Sequence, residues 1–155
     1  MKPQQTIDFH LRWLWQKISR IYNQEAAKFG GTMSVGYVLL NIDKDGTPST
    51  KLGPKMGMES RSLTRTLKSM EEKGLIYKSQ AETDGRLVLI HLTEDGKKYR
   101  DTSRDVVVRL NEYVHENIDS EKLETFFEVS KQINELLDST SIYELKTELS
   151  PTVKK

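Results

Sequence analysis

The chain has 155 residues, no cysteine, 35% hydrophobic and 30% charged side chains, and a formal net charge of +1. This suits one folded domain, or one compact domain with a helical arm, and is not the composition of a disordered chain. The lack of cysteine excludes disulfides and thiol chemistry, no apolar run approaches the roughly 20 residues of a membrane span, and the start MKPQQTIDFH has no apolar signal core; together these point to the cytoplasm.

Residues 5–29 read as a long helix. Ile7, Leu11, Leu14, Ile18 and Ile21 follow a 4-3-4-3 spacing, and Trp15, Tyr22 and Phe29 form a second line that repeats every seven residues. Phe9 and Trp13 widen the apolar surface further. One stripe is enough for a simple amphipathic helix, so this width suggests contact with two bodies, both in its own core or one of them a partner subunit. Gly30-Gly31 ends the helix. Thr32 is placed to N-cap a second helix, Met33 to about Asp43, with Val35, Val38, Leu39 and Ile42 inward and Gly36 weakening it slightly. Asp43-Lys44-Asp45-Gly46 is a turn, and Thr47-Pro48 a short extended link able to pair at a sheet edge.

Ser49 is expected to cap a short third helix, Thr50–Met56, with Leu52 and Met56 inward. Pro54 removes one backbone donor there and is expected to distort the helix after its first turn. Gly57 supplies a tight turn, and Met58 plugs the gap before a fourth helix, Ser60–Lys73. In that helix Leu63, Leu67 and Met70 form the buried line, and Gly74 is the C-cap. Leu75–Gln80 and Arg86–Leu92 read as antiparallel strands joined by the polar loop AETDG. Thr93 caps a fifth helix, Glu94 to about Asn117, with Tyr99, Val106, Leu110, Tyr113 and Val114 inward. Asp119 or Ser120 caps a sixth, carrying Leu123, Phe126, Phe127, Ile133, Leu136 and Leu137, and a short helix at Ile142–Leu149 closes the pattern. The predicted fold is mainly α with a small β-hairpin wing: a winged helix-turn-helix framed by long helices.

Charge is uneven along this chain. Residues 47–100 hold 11 Lys/Arg against 7 Asp/Glu, a net of +4, whereas residues 101–155 hold 7 against 12, a net of −5. The centre can face phosphate while the C-terminal third avoids it. The outward side of the fourth helix offers Ser60, Arg61, Ser62, Thr64, Arg65 and Lys68. Arg61 and Arg65 are i,i+4 neighbours, so one can take a guanine edge bidentately while the other clamps a phosphate. The short hydroxyl side chains let the backbone approach DNA and bond to phosphates or base edges. Arg86, beside the hairpin tip, is suited to the minor groove; Asp84 can orient its guanidinium, and Lys78 can reach the DNA backbone from the neighbouring strand. Taken singly, each of these is also compatible with an ordinary solvated face.

Residues 32–99 resemble the MarR family of bacterial winged-helix regulators. The resemblance rests on the Ser49–Met58 helix-turn unit, on Leu63-x-Arg65-x-Leu67-x-x-Met70-Glu71-x-Lys73-Gly74-Leu75-Ile76, on the Asp84-x-Arg86 wing, and on Leu92-Thr93-Glu94-x-Gly96. It implies a single domain over 1–155, with residues 32–99 as the DNA-binding region and residues 1–31 and 100–155 as a helical dimerisation region. It further implies a homodimer on a near-palindromic operator, released by a small aromatic ligand, with Asp84 and Arg86 as the wing pair. Gly53-Pro54 departs from the helix formers usual at that point, and the lack of cysteine rules out a thiol-oxidation switch.

His10, His91 and His115 lie on three separate elements without metal-ligand spacing, and no phosphate loop, nucleophile elbow or paired-carboxylate motif is present. No enzymatic activity, cofactor or metal is therefore expected. A ligand pocket is expected where the first, second and fifth helices meet the winged region, with His10, Trp13 and Tyr37 as candidate lining residues. Against the leading expectation of a DNA-binding repressor stand two others: a winged-helix module that binds protein, and a small-molecule sensor without its own operator.

Overall fold

The structure, a computed structural model, describes residues 2–81 and 87–139. A 3-10 turn, Pro3–Gln5, leads into helix α1, Ile7–Ala27. Then follow α2, Met33–Asn41; strand β1, Thr47–Pro48; α3, Ser49–Met56; α4, Ser60–Glu72; β2, Ile76–Gln80; β3, Val88–Leu92; α5, Glu94–Asn117; and α6, Ser120–Ser139. The strands form one antiparallel sheet in the order β1-β3-β2. No helix among the described residues is long and apolar enough to cross a membrane. Packing divides the chain within α5, into one compact unit ending at Leu110 and another beginning at Asn111.

The core of the first unit gathers the lines that the sequence marks. Val35, Val38, Leu39 and Ile42 come from the α2 segment, Leu52 from α3, and Leu63, Leu67 and Met70 from α4. Leu75, Ile76, Ile90 and Leu92 close it from the sheet. Leu39, Leu52, Met70 and Ile90 are completely buried, and burial of a side chain of this size stabilises a fold by roughly 1.5–3 kcal/mol. The register pairs Ile76 with Leu92 and Gln80 with Val88. Thr47 pairs with Ile90 and Pro48 with Leu89, so the expected hairpin gains a third strand and Pro48 sits on the edge, where its missing N–H costs no ladder bond.

Helix ends follow local chemistry. The Thr32 hydroxyl accepts from the Val35 N–H at 3.3 Å, as an N-cap should. At the end of α4, Gly74 adopts φ +68°, and the Gly74 and Leu75 N–H groups donate to the Glu71 and Met70 carbonyls, each at 2.9 Å. Gly57, at φ +61°, closes α3 in the same way. One expectation needs correction here. Ser49 is the first residue of α3 and not its cap; Pro48 stands at the cap without a side-chain bond. Pro54 lies inside α3 without breaking it. The lost donor would have served the Thr50 carbonyl, and both residues are exposed, so water can satisfy that oxygen.

Gly53 and Gly96 mark close approaches. A Cβ on Gly53 would lie 3.2 Å from the Met58 carbonyl oxygen, so glycine lets the α3–α4 turn fold tightly. A Cβ on Gly96 would lie 2.0 Å from the Leu75 carbonyl oxygen. Thr93 secures that junction: its hydroxyl donates to the Gly74 carbonyl at 2.7 Å and accepts from the Gly96 N–H at 3.0 Å. Its own N–H donates to the Leu75 carbonyl at 3.1 Å. The end of α4, the start of β2 and the start of α5 are thereby joined through backbone.

In the second unit Leu123 is buried, while Phe126, Phe127, Leu136 and Leu137 are exposed. Asp119 caps α6, accepting from the Glu121 N–H at 3.0 Å. The short helix expected at 142–149 lies outside the described residues.

Candidate nucleic-acid interface

Helix α4 presents two unlike faces. Leu63, Leu67 and Met70 are fixed in the core, which turns Arg61, Ser62, Thr64, Arg65 and Lys68 to solvent. Ser60 begins the helix. The arginines at 61 and 65 have no ion pair and no side-chain hydrogen bond among the described residues. Lys68 Nζ lies 3.9 Å from Glu72 Oε1, in a pair whose side chains are 76% and 65% exposed. Such a loose pair holds its lysine weakly and leaves it available to an anion. The carboxylates of α4 stand at its C-terminal end, so the basic and hydroxyl groups of its first half face solvent without a carboxylate of the same helix beside them.

Two other basic residues near α4 are engaged in the fold. Lys78 Nζ, on β2, is bonded to Glu71 Oε2 and ties the sheet to the end of α4. Lys55 Nζ, on α3, donates to Asp43 Oδ1 and to the Asn41 carbonyl, each at 3.2 Å. The buried Thr47 completes that cluster, donating to Asp43 Oδ2 at 2.9 Å and accepting from the Asp43 N–H at 2.8 Å. The Thr47 hydroxyl, and after it Lys55, hold the Asp43 carboxyl below the usual aspartate range. Asp84 and Arg86, the expected wing pair, lie outside the described residues. His91 packs within the sheet: its ring stacks on Tyr77 with centroids 4.9 Å apart, and its Nε2 is 2.9 Å from Ser79 Oγ.

A cavity of about 40 Å³ lies between α1, α2 and α5, within the first unit. Tyr22, Ala26 and Phe29 line it from the α1 side, Met33, Gly36, Tyr37 and Leu40 from α2, and Tyr99, Ser103 and Val106 from α5. Of the three side chains expected in a pocket, Tyr37 is on this wall, its ring 6.3 Å from that of Trp15. His10 and Trp13 are not. His10 bonds through Nε2 to the Gln4 carbonyl at 2.8 Å, and Trp13 is 52% exposed beside Phe9. The sequence did carry a signal for Tyr22 and Phe29, the line repeating every seven residues. Tyr99 stood out only as an inward residue of the fifth helix.

These elements, an α3–turn–α4 unit set against a three-stranded sheet, define a winged helix-turn-helix protein. Residues 38–88 match the model of the MarR family. Over those residues the chain is similar to that family. Over 56 residues the chain is 43% identical to the organic hydroperoxide resistance transcriptional regulator of Bacillus subtilis (strain 168), a match covering 36% of this chain and 38% of that protein. The chain thus spans well under half of that relative in the matched region. Solved structures share the fold, and two serve as examples. One is CouR from Rhodococcus jostii RHA1 bound to p-coumaroyl-CoA, with a TM-score of 0.74 at 20% identity over 86% of this chain and 94% of that one. The other is the S. aureus MepR–DNA complex, with a TM-score of 0.74 at 19% identity over 87% of this chain and 98% of that one.

Proposed function

We propose that this protein is a sequence-specific transcriptional regulator of the cytoplasm, a repressor, that binds duplex DNA as a homodimer and is released by a small aromatic ligand. The observation that carries this reading is the outward face of α4. Its two arginines are exposed and unpaired among the described residues, on a helix whose opposite face is locked into the core. A helix held this way fits the major groove and keeps its donors in a fixed frame.

In this reading Arg61 and Arg65 meet a guanine edge and a phosphate, and Lys68 leaves its loose pair for the backbone. Ser60, Ser62 and Thr64 permit close approach and bond to phosphates or base edges. Arg86, oriented by Asp84, enters the minor groove, and Lys78 reaches a phosphate once it gives up Glu71. Two supports come from similar proteins: MepR has been solved with DNA, and CouR with an aromatic acyl-CoA. Binding selection from random duplexes tests the proposal. The expected product is an inverted repeat whose half-sites lie about one helical turn, roughly 34 Å, apart. Recovery of no enriched duplex would sink it.

A further inference from the structure

We infer that the cavity between α1, α2 and α5 selects uncharged aromatic molecules and rejects their carboxylates. The inference deepens the effector reading above and rests on it. Among the described residues, the cavity wall has no lysine, arginine, histidine, aspartate or glutamate. An anion entering it would lose its water shell and meet no cation, and burying an unpaired charge is strongly unfavourable.

The hydroxyl groups on the wall do not replace that cation. Ser103 donates to the Tyr99 carbonyl at 2.9 Å, and Thr102 to the Lys98 carbonyl at 3.1 Å. Thr32 accepts from the Val35 N–H at 3.3 Å, and the O–H it keeps is a single neutral donor that brings no charge to offset an anion. The phenols of Tyr37 and Tyr99 are the other polar groups left to meet a ligand, and each offers one neutral donor that also accepts. That suits a hydroxyl, a carbonyl or an indole N–H on an otherwise apolar ring, while Phe29, Met33 and Val106 supply apolar contact. The cavity holds only about 40 Å³, room for a water molecule or two, so a ligand must widen it and each unfavourable charge weighs further against entry.

The test is the melting temperature of the full chain, without DNA, in neutral buffer with millimolar 4-ethylphenol or indole, and with 4-hydroxybenzoate or indole-3-carboxylate as charged counterparts. The neutral probes are expected to raise it by about 3 °C or more, with apparent affinity at least about tenfold above the carboxylates. Equal or larger shifts with the carboxylates, or no shift with either neutral probe, would overturn the inference. Two variants tie the effect to the cavity. Ala26→Phe should abolish the shift by filling the space, and Thr102→Arg should reverse the preference by adding a cation at a half-buried wall position. A Thr102→Arg protein that melts cooperatively yet keeps the neutral preference would also overturn it, and the wild-type comparison decides whether or not either variant folds. Because no DNA is present, a failure of DNA binding would defeat the regulator reading without altering this result.

Discussion

Thr93 sits where three backbone segments meet, and its hydroxyl and N–H serve α4, β2 and α5 at once. Gly96 completes the junction by having no side chain. Gly96→Ala would press a methyl group toward the Leu75 carbonyl oxygen, a backbone atom only 2.0 Å from its position. A loss of about 3 kcal/mol or more is expected in urea unfolding, as for severe overpacking; a loss under about 1 kcal/mol would mean that the junction is looser than described. Asp43 supplies a pH-dependent counterpart. Its carboxyl titrates below the usual range in the fold because Thr47, then Lys55, favour the ionised form. A lowered folded value gives stability that is complete above the ordinary aspartate value and disappears as pH falls through the lowered one. Thr47→Val removes the largest cause, so the stability gap between it and the wild type should narrow on acidification. A gap that stays constant with pH would contradict the linkage. Some of this was readable beforehand: Thr93 and Thr32 as caps, Gly57 as a turn residue. The need for glycine at 53 and 96 was not, because a sequence shows the missing Cβ but not the oxygen it avoids.

Helix α4 was the most legible element, since its buried line repeats at helical spacing and nothing in the fold contests it. The α3 segment runs through Pro54 as one helix, which the sequence alone does not settle, because the cost of the lost donor depends on whether water reaches the exposed Thr50. The cavity was legible in place but only partly in its lining. Which apolar lines of α1, α2 and α5 meet is decided by how the helices cross, and spacing within each helix does not contain that angle. Helix α2 shows the consequence: Val35, Val38 and Leu39 share the core with α4, while Met33, Gly36 and Tyr37 line the cavity. Helix α2 thus borders both the cavity and the core that holds α4. The tie from β2 to α4 gives a prediction at this scale. Glu71→Gln removes a negative charge beside the proposed DNA face and frees Lys78. DNA affinity should rise about threefold or more, with a steeper salt dependence, while the melting temperature stays nearly unchanged, because an exposed pair contributes little to stability. Unchanged affinity would remove Lys78 from the interface.

For the whole molecule, the dominant feature is apolar surface left open on helices at both ends of the chain. Ile7, Leu11, Leu14 and Trp15 on α1 are each more than 40% exposed, as are Phe126, Phe127 and Leu137 on α6. A soluble chain rarely leaves so much apolar surface to water, which supports the proposed homodimer. Leu14→Glu should shift the chain to monomer in sedimentation at micromolar concentration; an unchanged mass would place the interface elsewhere. The distribution of charge fits the same plan. A basic centre and an acidic C-terminal third would let the proposed DNA reader carry a net charge of only +1.

Whether the outward face of α4 reads DNA is decided by titrating a selected duplex with wild type, Arg61→Ala and Arg65→Ala across a range of salt concentrations. Wild-type affinity is expected to fall steeply with salt, and each substitution to weaken binding by about tenfold or more. One variant should lose discrimination at a particular base pair, and the other should lower the salt slope by about one. Wild-type affinity and salt dependence in both variants would contradict the DNA-reading role of α4.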